Sequence, residues 1–185
     1  MWDFICKFFH PKRAKWDSQY NQGKWQILKS PQEEERFRAL ANLVKKYTPN
    51  GNILEIGCGE GLLLSMLEND YISFIGVDIS SVAVKRAQHL SNDKTKFIIA
   101  DMEKFKTNNR FDVIIFNESI YYAKSPLLLL KRYKQFLSLN GVIATSIFDN
   151  GTAGKLRTQI ACNYDVLASQ TVINKRGTWH CEVFR

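Results

Sequence analysis

Several features are scarce in this chain, and each shortage excludes a class of protein. The four cysteines, Cys6, Cys58, Cys162 and Cys181, stand far apart with no CxxC pair, which argues against a zinc site and against a disulfide framework. No metal ligand set is expected, and a reducing, cytoplasmic setting fits this usage. No run of about eighteen apolar residues occurs. The apolar block at 127–130 meets Lys131 and Arg132 at once, so no transmembrane segment is expected. Charges interrupt the first aromatic residues and no small-residue cleavage site follows, so no secretory signal is read. Low-complexity segments and internal repeats are also missing.

What is present suits one globular domain over 1–185, since 185 residues with 45% hydrophobic content can bury a sizeable core. The formal net charge of +8 raises nucleic-acid binding as a possibility. Lys7, Lys12, Arg13 and Lys15 cluster near the N-terminus, but most other basic residues alternate with acids, as solvated helix faces do. A nucleic-acid partner is therefore disfavoured without being excluded. The opening stretch interleaves Trp2, Phe4, Ile5, Phe8 and Phe9 with basic residues. It reads as a short helix, stopped at Pro11, that docks on the domain; peripheral contact with an anionic membrane is the alternative. Trp16, Tyr20 and Trp25 follow around a break at Gly23.

Ser30, Pro31 and Glu33 read as a capping-box start for a helix to about Tyr47, ended by residues 48–51. The chain then alternates: strand 53–56, helix 60–69, strand 73–77, helix 81–90, strand 96–99, strand 111–116, helix 126–138, strand 141–147. A helical stretch at 152–161 precedes two strands, 165–173 and 178–184, around a turn at 174–177. Such alternation implies right-handed crossovers and a parallel sheet covered on both faces.

The stretch 53–61, ILEIGCGEG, turns from a buried strand into a glycine-rich loop followed by a helix, an order that offers backbone N–H groups and a dipole end to a nucleotide. Dinucleotide spacing would need glycine at the sixth position of the loop, where Leu62 stands. Glu55, two residues ahead of the alternating Gly57, Gly59 and Gly61 with Cys58 between them, instead resembles motif I of the class I S-adenosylmethionine-dependent methyltransferases. The resemblance implies an α/β fold, a Rossmann-like three-layer αβα sandwich with a mostly parallel seven-stranded sheet and a C-terminal antiparallel hairpin. In that frame 1–50 is an N-terminal helical cap segment and 51–185 the cofactor-binding core.

Asp78 ends the second strand, seventeen residues after Gly61, where a carboxylate can accept ribose hydroxyls. By resemblance Asp78 and its neighbour Ile79 hold the adenosine of S-adenosyl-L-methionine, Asp101 meets the adenine amino group, and Met102 packs on the ring. Tyr20 and Trp25 are assigned to the same cofactor through cation–π contact with its sulfonium.

The fourth strand ends in Asn117-Glu118-Ser119-Ile120-Tyr121-Tyr122. Asn117 is placed with the cofactor, and Glu118 and Tyr122 are the catalytic candidates on the acceptor side. The two prolines of exocyclic-amine base methyltransferases, the Pro-Cys of cytosine C5 enzymes and the Glu-His pair of many quinol and sterol enzymes are absent here. His10, His89 and His180 read as surface or packing residues, His180 having the best claim to chemistry. The segment looks most like the small bacterial methyltransferases related to the nodulation N-methyltransferase, which implies methyl transfer to an O or N atom of a small-molecule or glycan-type metabolite. An RNA methyltransferase and a non-catalytic S-adenosylmethionine-binding module remain the alternatives, and the oligomeric state is open.

Overall fold

Ile53 faces one side of the central strand while Leu54 and Ile56 face the other, and all three are fully buried. A strand apolar on both faces belongs in the middle of a covered parallel sheet. In the computed structural model, which describes residues 11–185, β1 (Gly51–Ile56) takes that position. β2 (Tyr71–Asp78), β3 (Thr95–Ile99), β4 (Phe111–Asn117), β5 (Leu137–Phe148), β6 (Val166–Asn174) and β7 (Gly177–Phe184) complete a seven-stranded sheet in the order β3-β2-β1-β4-β5-β7-β6. Pairing from β3 to β5 is parallel, whereas β7 runs antiparallel to β5 and β6 antiparallel to β7. The fold is the expected Rossmann-like sandwich with a terminal hairpin.

The helices are α1 (Pro11–Asn21), α2 (Pro31–Tyr47), α3 (Ser81–Ala87), α4 (Pro126–Lys134) and α5 (Thr152–Asn163). α2 and α3 cover one face of the sheet through Leu40, Val44 and Val84. α4 and α5 cover the other through Leu129, Leu130, Tyr133 and Ile160. No helix among the described residues is long and apolar enough to cross a membrane.

Several local expectations change. Pro11 stands at the start of α1, the position where a missing N–H costs least; the aromatic-basic stretch before it, with the short helix expected there, lies outside the described residues. The helix expected over 60–69 is a 3-10 turn, Leu62–Leu67, closed by left-handed Glu68 and Asn69. The helix at 81–90 is α-helical only to Ala87 and finishes as 3-10 turn Gln88–Leu90. α4 stops at Lys134 because Gln135 and Phe136 turn back to the carbonyls of Arg132 and Tyr133. β5 consequently starts four residues earlier than expected, at Leu137. Ser30 caps nothing: its hydroxyl is buried without a partner, and Glu33 points to arginines instead.

Candidate active site

Moving outward from β1, the chain goes to β2 on one side and to β4 on the other, which opens a crevice beyond the carboxyl ends of the strands. A cavity of about 500 Å³ occupies it, within the range of roughly 300–1,000 Å³ of small-molecule sites. Glu55, Gly57, Cys58, Gly59, Asp78, Ile79, Asp101, Met102, Asn117 and Glu118 reach it from the strand ends, and Tyr20, Trp25 and Tyr122 from the cap and the β4 loop. Gly61 does not. A Cβ there would lie 2.9 Å from the Phe97 ring, so this glycine serves close packing under the loop.

The glycine turn works differently from the expected array of free N–H groups. Gly57 and Cys58 both donate to the Val77 carbonyl (2.7 and 3.1 Å), Gly61 donates to Cys58, and Gly59 donates to Asp78 Oδ2 at 2.9 Å. The six-residue 3-10 turn that follows supplies no long helix dipole. What the turn offers is approach. Gly57 has φ +75° and a Cβ would meet that of Ser119 at 2.5 Å; Gly59 has φ +55° and a Cβ would meet the Tyr20 hydroxyl at 2.7 Å. The Cys58 side chain itself packs in the core beside Gly76, and burial pushes its thiol pKa up.

Two carboxylates lie deep beside the turn. Asp78 accepts from Gly59 N–H and, through Oδ1, from Ser80 N–H at 2.8 Å; burial nevertheless raises its pKa. Those two bonds leave lone pairs for further donors, as a ribose would need. Glu55 is 1% exposed, and one of its oxygens has no hydrogen-bond partner. Burial holds its pKa up at about 8, with Asp78 adding to the rise while Asn117 and Arg36 oppose it. Asp101 turns its Oδ1 to the N–H of Glu103 at 2.9 Å.

Beyond β4 the backbone of Glu118 adopts φ +54°, rare for a residue with a side chain and of the kind found at functional sites. Its N–H bonds to the Ser146 carbonyl at 3.0 Å, and its Oε2 accepts from the Tyr121 hydroxyl at 2.8 Å. Burial raises the Glu118 pKa, while Arg36 and the Tyr121 hydroxyl pull it back. Under this end of the cavity lies a pair that the sequence did not advertise. Arg36 and Glu33, each 1% exposed, are bonded through Arg36 Nε and Nη2 to Glu33 Oε2 (3.0 and 2.7 Å). Arg36 Nη1 reaches Asn117 Oδ1 at 2.5 Å, and Arg176 from the hairpin turn binds the other oxygen of Glu33. On β7 the alternation of the strand sends Trp179 to the cavity, whereas His180 faces Thr171 and Asp149 and does not line it.

The α1 segment is fastened to the Asp78 side of the cavity. Asp17 on α1 accepts from Ser80 Oγ (2.6 Å), Ser81 Oγ (2.9 Å) and Val82 N–H (3.1 Å), acting as an extra cap for α3. Arg13 donates to the Ile79 carbonyl, and Arg86 reaches both the Tyr20 carbonyl and Glu60. Partial burial acts to raise the Asp17 pKa, but the bonds from Ser80, Val82 and Ser81 outweigh it and leave it below 3.8. The latch is therefore complete above that ordinary value and lost only as pH falls through the lowered one. Asp17→Ala should release α1 by about 1 kcal/mol and speed trypsin cleavage at Lys12 and Lys15 severalfold; unchanged cleavage would show that the latch does not hold the cap.

A glycine turn at the switch point with carboxylates at three successive strand ends defines an α/β protein shaped for an adenosine-type ligand. The chain belongs to the methyltransferase-domain family, whose sequence profile matches residues 32–185. Malonyl-[acyl-carrier protein] O-methyltransferase of Haemophilus influenzae is 30% identical over 166 residues, covering 83% of this chain and 62% of that protein. Nodulation protein S of Bradyrhizobium diazoefficiens is 23% identical over 152 residues, covering 80% and 70%. The crystal structure of N-methyltransferase NodS from Bradyrhizobium japonicum WM9 with S-adenosyl-L-homocysteine shares the fold with a TM-score of 0.76 at 19% identity, covering 87% of this chain and 90% of that one. The chain spans 49% to 62% of the length of the first two malonyl-[acyl-carrier protein] relatives it matches.

Proposed function

We propose that this chain is an S-adenosyl-L-methionine-dependent methyltransferase acting on an O or N atom of a small-molecule acceptor, glycan-type metabolites included. The observation that carries the reading is the convergence of Glu55, Asp78 and Asp101, from the ends of β1, β2 and β3, on one cavity that continues to Glu118 and Tyr122. Asp78 would hold the ribose, Asp101 and Met102 the adenine, and Glu55 with Asn117 the amino-acid end. S-adenosyl-L-methionine supplies a sulfonium methyl that needs no covalent enzyme intermediate. The contribution of the chain is then alignment and proton removal. Trp16 packs edge-on to Tyr122 with centroids 4.9 Å apart and lies 5.5 Å from Trp25, so cap and β4 loop present one aromatic wall to the transfer region. A reducing, cytoplasmic setting goes with this reading.

Calorimetry tests it. The protein should bind S-adenosylmethionine and S-adenosylhomocysteine, and Asp78→Ala should weaken both by about tenfold or more, the loss of charge-assisted bonds. Absence of binding, or tighter binding of a nicotinamide dinucleotide, would overturn the cofactor assignment.

A further inference from the structure

We propose that the acceptor is an amine, received as its ammonium form and deprotonated by Glu118, so that the floor of the cavity selects amino compounds over carboxylic acids. This deepens the methyl-transfer reading and rests on it.

Glu118 Oε1 is buried and makes no hydrogen bond of ordinary geometry, although the Trp179 indole lies close enough to favour the anion. Its other oxygen is fixed by Tyr121. A buried carboxylate with an open acceptor position is completed by a donor, and a cationic donor gains most there. Arg36 on the same side is already occupied, with Nε and Nη2 on Glu33 and Nη1 shared between Asn117 and Ser146. Arg176 gives Nη1 to Glu33 and stands partly exposed. A carboxylate brought to the Glu118 oxygen would meet the desolvated Glu118 as a like charge. The walls agree: Trp16, Tyr122, Phe148 and Trp179 present aromatic surface to this space, and aromatic faces attract ammonium ions. Lys12 and Lys15 also border the cavity, but Lys12 is only partly buried and Lys15 is exposed.

The step balances. The ammonium R–NH3+ gives one proton to Glu118 Oε1, leaving R–NH2 and a neutral carboxyl group. The nitrogen lone pair forms the N–CH3 bond while the S–CH3 bond breaks with its electron pair staying on sulfur. The products are a thioether and R–NH2+–CH3, and Glu118 returns its proton to solvent. Burial, which raises the Glu118 pKa, narrows the gap to the ammonium it must deprotonate.

Two measurements test the inference. Protein supplied with methyl-tritiated S-adenosylmethionine and a small-metabolite extract should yield label that survives base and is retained on a cation exchanger. Base-volatile label, from a methyl ester, or base-stable label that passes the exchanger, from an ether, would overturn the amine while leaving methyl transfer intact. No label on any acceptor, with S-adenosylhomocysteine still bound, would overturn the methyltransferase reading itself. Independently of turnover, protein loaded with S-adenosylhomocysteine should show a saturable tryptophan-fluorescence response to n-butylammonium and none to butyrate. Glu118→Gln should weaken the n-butylammonium response by about tenfold or more with S-adenosylhomocysteine affinity unchanged. A saturable butyrate response, or an n-butylammonium response indifferent to Glu118→Gln, would refute the proposal.

Discussion

Arg36→Met is expected to lower the unfolding free energy by about 3 kcal/mol, near the low end for breaking a buried ion pair. The guanidinium sits 4.3 Å from the Phe37 ring centroid and 5.9 Å from that of Trp179, and it ties Glu33 on α2 to Asn117 on β4 and Ser146 on β5. Met fills the volume but leaves the Asn117 oxygen and the Ser146 hydroxyl without this donor. The loss stays at the low end because Arg176 still pairs with Glu33. For a domain of this size the change corresponds to a drop of roughly 6–12 °C in melting temperature. Arg36→Lys should recover only part of it, since one ammonium cannot make the same forked bonds to Glu33 and Asn117. Urea denaturation of the ligand-free protein measures both. A loss below about 1 kcal/mol for Met would mean that the pair contributes no more than a surface ion pair, and that the Glu118 end of the cavity is not held by it.

Legibility from sequence followed periodicity and stopped where long-range packing takes over. Ile53, Leu54 and Ile56 announce a central strand because a sheet buried on both faces leaves no polar alternation. Glu55, Asp78 and Asp101 were readable as positions on the crevice because each falls near the carboxyl end of an apolar strand, where sheets of this topology open onto a cavity. Arg36 and Glu33 were not readable: three residues apart on an amphipathic helix, they look like an ordinary exposed pair, and only the docking of α2 against β5 and β7 buries them. The same limit hid Trp179, whose place depends on which face of the hairpin meets the cavity. The glycine turn gave the right place and the wrong detail. The N–H groups of Gly57, Cys58, Gly59 and Gly61 are occupied by Val77, Asp78 and Cys58, which no local pattern reveals.

Stability of the ligand-free protein should fall as pH rises from about 4.5 to about 8, and Glu55→Gln should flatten that fall. The unfolded chain releases the Glu55 proton near its ordinary value of 4.5, whereas the folded chain keeps it until about 8 because the carboxyl is buried and one oxygen lacks a partner. Across that window the native state binds more protons, so each unit of pH removes up to about 1.4 kcal/mol until the folded group ionises. Denaturant titrations at a series of pH values read the slope directly. Asp78 and Glu118 bend the curve in the same direction, and the difference between wild type and Glu55→Gln isolates Glu55. Ligand binding reverses the logic. In the proposed complex Glu55 would hold the ammonium of S-adenosylmethionine, which would favour the carboxylate and release the proton held at neutral pH. Calorimetry in buffers of different ionisation heat should then register release of about one proton on binding to the wild type and clearly less with Glu55→Gln. Equal proton release in the two proteins would place Glu55 outside the ligand contacts, and stability curves of equal slope would mean that burial does not hold its carboxyl protonated.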